Sequence, residues 1–273
     1  MKPNLAQGRA APTEIDLHPL IKHRWSPRAI SDRAVEPEKL RLVFEAARWA
    51  PSSANEQPWR FLVATRDEPE WLERLQGYLT PGNAWANRAP VLVASAYATH
   101  RKEKPNRVAL RDLGAAEENL FLQAYALGLV MHQMAGFDHE HLKRELLPDG
   151  FEPGTMFVIG YPGSIEDLPP EQQERERKPR QRKAPGEFIF GPRWGEPAPF
   201  LAEADDGRPP RAGSPLPLEF ARPRRIFRRN TERTPWRSTS SIPPSPAGSR
   251  LISASRPRRR RAAGRRSAPA ATR

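Results

Sequence analysis

Two arginines four positions apart enclose a hydroxyl in Arg24-Trp25-Ser26-Pro27-Arg28. Guanidinium groups bind phosphate oxygens in bidentate fashion and a serine adds a donor, so the segment suits a phosphate. Taken alone, it reads first as a solvated basic turn. A second segment, Ala50-Pro51-Ser52-Ser53-Ala54-Asn55-Glu56-Gln57-Pro58-Trp59, holds four neutral polar side chains between two prolines. A loop stiffened this way can offer hydrogen bonds to the planar edge of a heterocycle; the same residues also serve as helix-stop turn chemistry. A third, Arg180-Gln181-Arg182-Lys183, adds cations for a phosphate, or forms a charged linker.

Other chemistries find little support. The chain has no cysteine, which excludes disulfides, thiolate ligands and a thiolate nucleophile. No glycine-rich phosphate loop follows a candidate strand, so dinucleotide-fold and Walker-type sites are absent. His139 and His141 look metal-like, but i and i+2 face different sides of a helix. His132 is read as packed near a pocket or as core, and Trp71, Tyr78 and Trp85 as core or lid.

The elements that must position these segments follow from periodicity. Glu14–Lys22 is a short helical candidate. Pro37 opens a helix in its first turn, and Leu40, Val43, Phe44 and Ala47 fall on one face before Pro51 ends it. Arg60–Thr65 and Pro90–Tyr97 read as strands, with a helix at Pro69–Leu79 and a turn at Pro81-Gly82-Asn83. Arg107–Gly128 is the longest helix, its small residues Gly114, Ala115 and Ala116 permitting close helix approach. Asp138 caps a helix over His139–Leu147. Met156–Tyr161 is a third strand and Glu187–Phe190 a short fourth. Helices between strands without tight βαβ units argue for an α+β fold.

Composition divides the chain. It has 273 residues, 32 prolines, 37% hydrophobic content and a mean hydropathy of −0.74, poor values for one core of that size. Residues 201–273 carry 18 Arg, no Lys and 5 acidic residues, whereas residues 1–200 balance 27 basic against 27 acidic. The whole excess of +13 therefore belongs to the tail and says nothing about a site in the body. With 11 prolines and few large apolar groups, the tail is expected to be disordered. Its arginine runs, such as Arg256–Arg261, would suit nucleic acid or an anionic membrane surface, making a basic nucleic-acid-binding protein the rival reading. The same composition is what a GC-rich gene gives out of frame. No secretory signal or membrane-length apolar run is visible, which leads to the expectation of a cytoplasmic protein.

Taken together, the segments resemble the nitroreductase family of FMN-dependent flavoproteins. The resemblance rests on Arg24, Ser26 and Arg28; on Pro51, Ser52, Asn55, Gln57, Pro58 and Trp59; on Gly128-Leu129; on Gly136-Phe137-Asp138; on Ile159-Gly160-Tyr161-Pro162; and on Arg180, Arg182 and Lys183, in that order along residues 17–195. It implies a three-layer α/β/α sandwich with a mainly antiparallel central sheet over residues 17–198, between a flexible N-terminus (1–16) and a disordered tail (199–273). It also implies that Arg24, Ser26, Arg28, Arg180 and Arg182 hold the FMN phosphate. Ser52, Ser53, Asn55 and Gln57 would contact the isoalloxazine or ribityl, and Met134-Ala135-Gly136 would lie at the flavin N5 edge. Trp25 and Pro51 complete the expected cofactor-binding set. NADH or NADPH would donate hydride, and a nitro, quinone or related small molecule would accept it in a ping-pong cycle, with dehalogenation or flavin destruction as alternative reactions on the same scaffold. The resemblance further implies a homodimer with FMN at the subunit interface. No metal and no catalytic side chain are required.

Overall fold

The computed structural model describes residues 9–201. These lie within one unit of the chain, Met1–Ser214; a second, Pro215–Arg273, and all but the first three residues of the tail expected over 199–273 lie outside the described residues.

Four strands form the central sheet: β1 (Trp59–Thr65), β2 (Val91–Ala98), β5 (Val130–Met134) and β6 (Phe151–Gly160). Their order is β1-β2-β6-β5 and every pairing is antiparallel, with Thr65 opposite Val91, Val91 opposite Ile159 and Met134 opposite Met156. Strands β3 (His100–Arg101) and β4 (Lys104–Pro105) make a separate small hairpin. The inner strands β2 and β6 are covered on both faces, which explains their nearly unbroken apolar runs.

Helices cover each face. On one side α2 (Pro37–Arg48) and α4 (Ala109–Ala126) bury Val43, Ala47, Leu113, Ala116, Leu120 and Ala124 against Val91, Val93, Met131, Phe157 and Ile159. On the other, α3 (Pro69–Gln76), the 3-10 segment Pro81–Arg88 and α5 (His139–Leu146) bury Leu72, Leu75, Trp85 and Leu142 against Leu92, Ala94, Met134, Met156 and Val158. Alternate side chains of one strand thus feed two cores, and each fully buried leucine contributes about 1.5–3 kcal/mol. The result is the three-layer α+β architecture expected from the sequence.

Helix ends obey local rules. Pro37 occupies the first turn of α2. Asp138 caps α5, accepting from the His141 N–H at 3.0 Å, as expected. Helix α4 stops in a Schellman arrangement: Leu129 N–H reaches Ala124 O at 2.9 Å and Gly128 N–H reaches Tyr125 O at 3.0 Å. Gly128 has φ 76°, which a side chain there would resist.

Three expectations need correction, and two elements are unanticipated. The helix over Glu14–Lys22 shrinks to α1 (Pro19–His23), because Pro19 lacks the N–H and the space to continue a helix upstream. Strand β5 is unanticipated: Val-Met-His-Gln-Met has polar residues at both centre positions, and each finds a distant partner. Strand β6 begins at Phe151 rather than Met156. Its first half carries Pro153 and Gly154 at a register shift opposite Ala94–Ala96, where a missing N–H is tolerated. Glu187–Phe190 is not a strand: Pro185–Glu187 forms a 3-10 turn, and Phe190 makes a single bridge to Pro197. A further helix, α6 (Pro170–Arg177), has no apolar periodicity to announce it.

Candidate functional site

Helix α4 separates two polar regions. Near its start, the buried Asp112 carboxylate (2% exposed) accepts from the Ser53 N–H at 2.8 Å through Oδ2, while Arg111 Nη2 lies 2.8 Å from Oδ1. The Ser52–Gln57 loop is unusually bent: Ala54, Asn55 and Gln57 have φ of 50°, 57° and 49°. Asparagine tolerates this region, but for Ala54 and Gln57 it stores on the order of 1–3 kcal/mol each. Internal hydrogen bonds hold the loop, Gln57 N–H to Ser52 Oγ at 3.1 Å and Gln57 Nε2 to Asn55 Oδ1 at 3.2 Å. Between the loop and α4 lies a cavity of about 380 Å³, lined by Pro51, Ser52, Ser53, Arg111, Asp112 and Ala115.

The far end of α4 is cationic. The Arg24 guanidinium lies 5.2 Å from the centre of the Phe121 ring, with its Nε 3.9 Å from Glu118. Arg180 donates to the carbonyls of Arg9 (2.7 Å) and Lys22 (3.2 Å), tying the N-terminal stretch to the segment after α6. Burial, then the nearby Arg24, Arg182 and Arg9, pull the Arg180 pKa below its ordinary value. Arg9 in turn covers the Trp25 ring at 4.7 Å. Two buried donors here, Trp25 Nε1 and the Tyr125 hydroxyl, have no hydrogen-bond partner. Each such orphan costs about 1–3 kcal/mol unless a ligand or water satisfies it. Burial also holds the Tyr125 phenol above its usual pKa, with Arg180 opposing.

A third group joins the Trp25–Arg28 loop to strand β5. Glu176 of α6, 2% exposed, accepts from the backbone N–H groups of Arg28 (2.9 Å) and Ala29 (3.3 Å). His132 donates from Nδ1 to Pro27 O at 3.0 Å and packs its ring 4.7 Å from Trp85. Burial pushes the His132 pKa down to about 4, with Arg28 adding repulsion, so the ring is neutral. The Arg28 guanidinium lies 6.0 Å from the Trp85 ring, apart from the Arg24–Arg180 group. Just past β5, Gly136 O accepts from Thr80 Oγ1 (2.9 Å) and Asn83 Nδ2 (2.8 Å). A Cβ at Gly136 would stand 2.7 Å from that Asn83 nitrogen, so the close approach requires glycine. Ala135 beside it is exposed and Met134 is buried.

Behind this edge, Glu117 of α4 (4% exposed) accepts from Ser95 Oγ (2.6 Å), Thr155 Oγ1 (2.8 Å) and Gln133 Nε2 (2.8 Å). Burial raises its pKa against these three hydrogen bonds.

The structure therefore brings Arg24, Trp25, Arg180 and Arg182 together. Ser26 and Arg28 lie on the loop that His132 and Glu176 hold at β5, apart from that group, with Met134, Ala135 and Gly136 at the end of the same strand. Pro51, Ser52, Ser53, Asn55 and Gln57 lie elsewhere, at the start of α4. Sequence reasoning missed Arg9, Tyr125, Glu176 and Glu117. Arg9 stands in a stretch without periodicity, and the other three matter through partners far away in sequence. His141 is engaged by Glu145 at 2.8 Å, and His139 stacks on Phe137 at 3.7 Å. Among the described residues no helix is long and apolar enough to cross a membrane.

The sequence profile of the nitroreductase family matches residues 21–80 and 68–161. The chain belongs to the nitroreductase family. Among relatives, a 15.4 kDa protein of Mycolicibacterium smegmatis is 34% identical over 145 residues, which is 50% of this chain and 99% of the relative. An Archaeoglobus fulgidus protein provisionally named NADH dehydrogenase/NAD(P)H nitroreductase is 33% identical over 154 residues, 55% of this chain and 87% of that one. A crystal structure described as an oxidoreductase containing FMN aligns with TM-score 0.64 and 34% identity, covering 67% of this chain and 94% of the other. The profile match takes in the Ser52–Gln57 loop, α4, β5 and Arg24 to Arg28, while Arg9, Glu176, Arg180 and Arg182 lie outside the matched residues.

Proposed function

We propose that this chain is an FMN-dependent oxidoreductase that takes hydride from NAD(P)H and delivers it to a nitro, quinone or related small acceptor in a ping-pong cycle, acting as a homodimer. The observation that carries the reading is the cationic end of α4. Four arginines converge there with one carboxylate 3.9 Å from Arg24 and two unpartnered buried donors, a donor set that fits a phosphate. Family membership and the FMN-containing structural relative support the flavin.

Bound FMN supplies reversible two-electron hydride chemistry at its ring. The chain's own work is positioning. Arg24, Arg180 and Arg182 would hold the phosphate, with Ser26 and Arg28 reaching toward it from the neighbouring loop, whose backbone Glu176 and His132 fix. The backbone of Met134, Ala135 and Gly136 lines the ring edge. The Ser52–Gln57 loop covers the ring from the partner subunit. Within one protomer, Asp112 and Tyr125 are 13 residues apart on α4, about 20 Å, so the loop and the arginines stand at opposite ends. A second copy with α4 antiparallel sets its loop over the first copy's cationic end, and the two-fold axis repeats the contact. Leu42, Trp49 and Leu110, at 50%, 72% and 57% exposure, supply apolar surface on α2 and α4 for such an interface.

The test is the absorbance spectrum of the purified full chain together with its mass by light scattering. A yellow dimer with about one flavin per protomer supports the reading. A colourless chain that takes up no added FMN overturns it, and a monomer retaining stoichiometric FMN overturns the shared site.

A further inference from the structure

The β3–β4 hairpin and the approach to α4 enclose a cleft of about 700 Å³ beside the Ser52–Gln57 loop, whose wall includes Ser53, Arg101, Lys102, Lys104 and Arg107. Arg101 Nε is 2.7 Å from Glu56 Oε1, which pins the hairpin to the loop. The hairpin base is closed by Asn106 N–H to Thr99 O at 2.7 Å. Lys102 turns the chain with φ 54°. Lys102, Lys104 and Arg107 are exposed and make no ion pair among the described residues, where many other surface cations are paired. Glu103 is the one unpaired carboxylate on the same wall, outnumbered three to one. Because the body of the chain is charge-balanced, this is a local concentration of positive charge in a concave, partly apolar setting, with Pro105 and Val108 completing the wall.

We infer that this cleft is a phosphomonoester subsite that selects NADPH over NADH. The inference rests on the proposed function, which puts the Ser52–Gln57 loop against the flavin ring. A donor with its nicotinamide on that ring carries its adenosine end outward, and the 2′-phosphate is the only group that separates NADPH from NADH. Unpaired lysines and an arginine at the periphery of the ring site match a dianion and gain little from a ribose diol.

The experiment measures kcat/KM for NADPH and NADH in the full chain with benzoquinone as acceptor, for the wild type and a Lys102→Asn/Lys104→Gln variant. In parallel, adenosine 2′,5′-bisphosphate and 5′-AMP are titrated calorimetrically; the Arg-rich tail is common to both proteins, so the difference between them reports the cleft. Expected are an NADPH preference of about tenfold or more in the wild type, a drop of about tenfold in that ratio in the variant, and a matching loss of bisphosphate affinity. An active enzyme without NADPH preference, or whose preference survives the substitutions, overturns the inference and leaves the flavoenzyme reading intact. A shift in the ratio of p-nitrobenzoate to nitrobenzene turnover with the donor ratio unmoved assigns the cleft to the acceptor and also overturns it. If the chain is colourless and inactive with both donors, the flavoenzyme reading fails, and equal bisphosphate affinities in the two proteins then remove the subsite as well.

Discussion

The two ends of α4 solve the same problem, holding polar groups ready for a ligand, by opposite means. At the cationic end, order comes from long-range hydrogen bonds: Arg180 to the carbonyls of Arg9 and Lys22, Glu176 to the amides of Arg28 and Ala29. At the other end, order is local. Ser52, Asn55 and Gln57 bond one another, three residues take positive φ, and the ties from Ser53 to Asp112 and from Glu56 to Arg101 anchor the whole. A charge cluster must be gathered from several elements, because like charges close in sequence gain nothing from proximity until an anion arrives. A neutral loop can be shaped by its own prolines and amides.

If the cationic end holds the cofactor, its removal gives the largest effect. The Arg24→Ala/Arg180→Ala variant should lose FMN on desalting, since each charge-assisted contact contributes about 1.5–3 kcal/mol and the pair together about two to four decades in affinity. Flavin absorbance per protomer, with circular dichroism as the folding control, checks it; full retention breaks the assignment.

Next comes a pH effect in the neighbouring group at β5. The pKa of His132 is about 4 in the fold against an ordinary 6.5, so its neutral form is the one the fold accepts. Its contribution is complete above pH 6.5 and is lost as pH falls toward 4, at most about 3 kcal/mol. Thermal unfolding between pH 7.5 and 4.5 should show this loss, and His132→Gln should flatten the slope. Removing the loop's anchor should be milder. Asp112→Ala strips Ser53 of its acceptor and should lower stability by about 1–3 kcal/mol, raising the KM for acceptor more than it lowers flavin content. The smallest expected effect is a gain: Ala54→Gly relieves a positive φ and should stabilise by up to about 1 kcal/mol in denaturant titration. A loss there would show that the loop is not strained and would blur the contrast between the ends.

The same contrast explains what the sequence discloses. Helix α2, the cap at Asp138 and the Pro51–Pro58 loop are written in residues a few positions apart, so periodicity and turn chemistry find them. Strand β5 escapes because His132 and Gln133 are strand residues only by virtue of Pro27 and Glu117, 105 and 16 positions away. Glu176 reads as one more charge in a polar helix, since its partners Arg28 and Ala29 lie 148 and 147 residues distant. Arg9 and Tyr125 gain their meaning only from the same convergence. The start of β6 at Phe151 escapes because Pro153 and Gly154 enter the sheet only through a bulge opposite Ala94–Ala96.

Glu117 carries a further consequence, one of folding order. Its hydrogen bonds come from β2, β5 and β6, while the carboxylate itself rides on α4, so four elements meet at one group. Ser95 Oγ has a single proton with two acceptors in reach, Glu117 Oε1 at 2.6 Å and Thr155 O at 3.0 Å, while the Thr155 N–H donates back to it at 2.8 Å. A half-docked α4 would strand a carboxylate in apolar surroundings, so every intermediate in which the helix touches only part of the sheet is penalised. The node therefore couples the docking of α4 to the assembly of three strands. It narrows the traffic between folded and unfolded chains to molecules that are wholly one or the other, and its removal should shorten the lifetime of the native state more than it slows its formation.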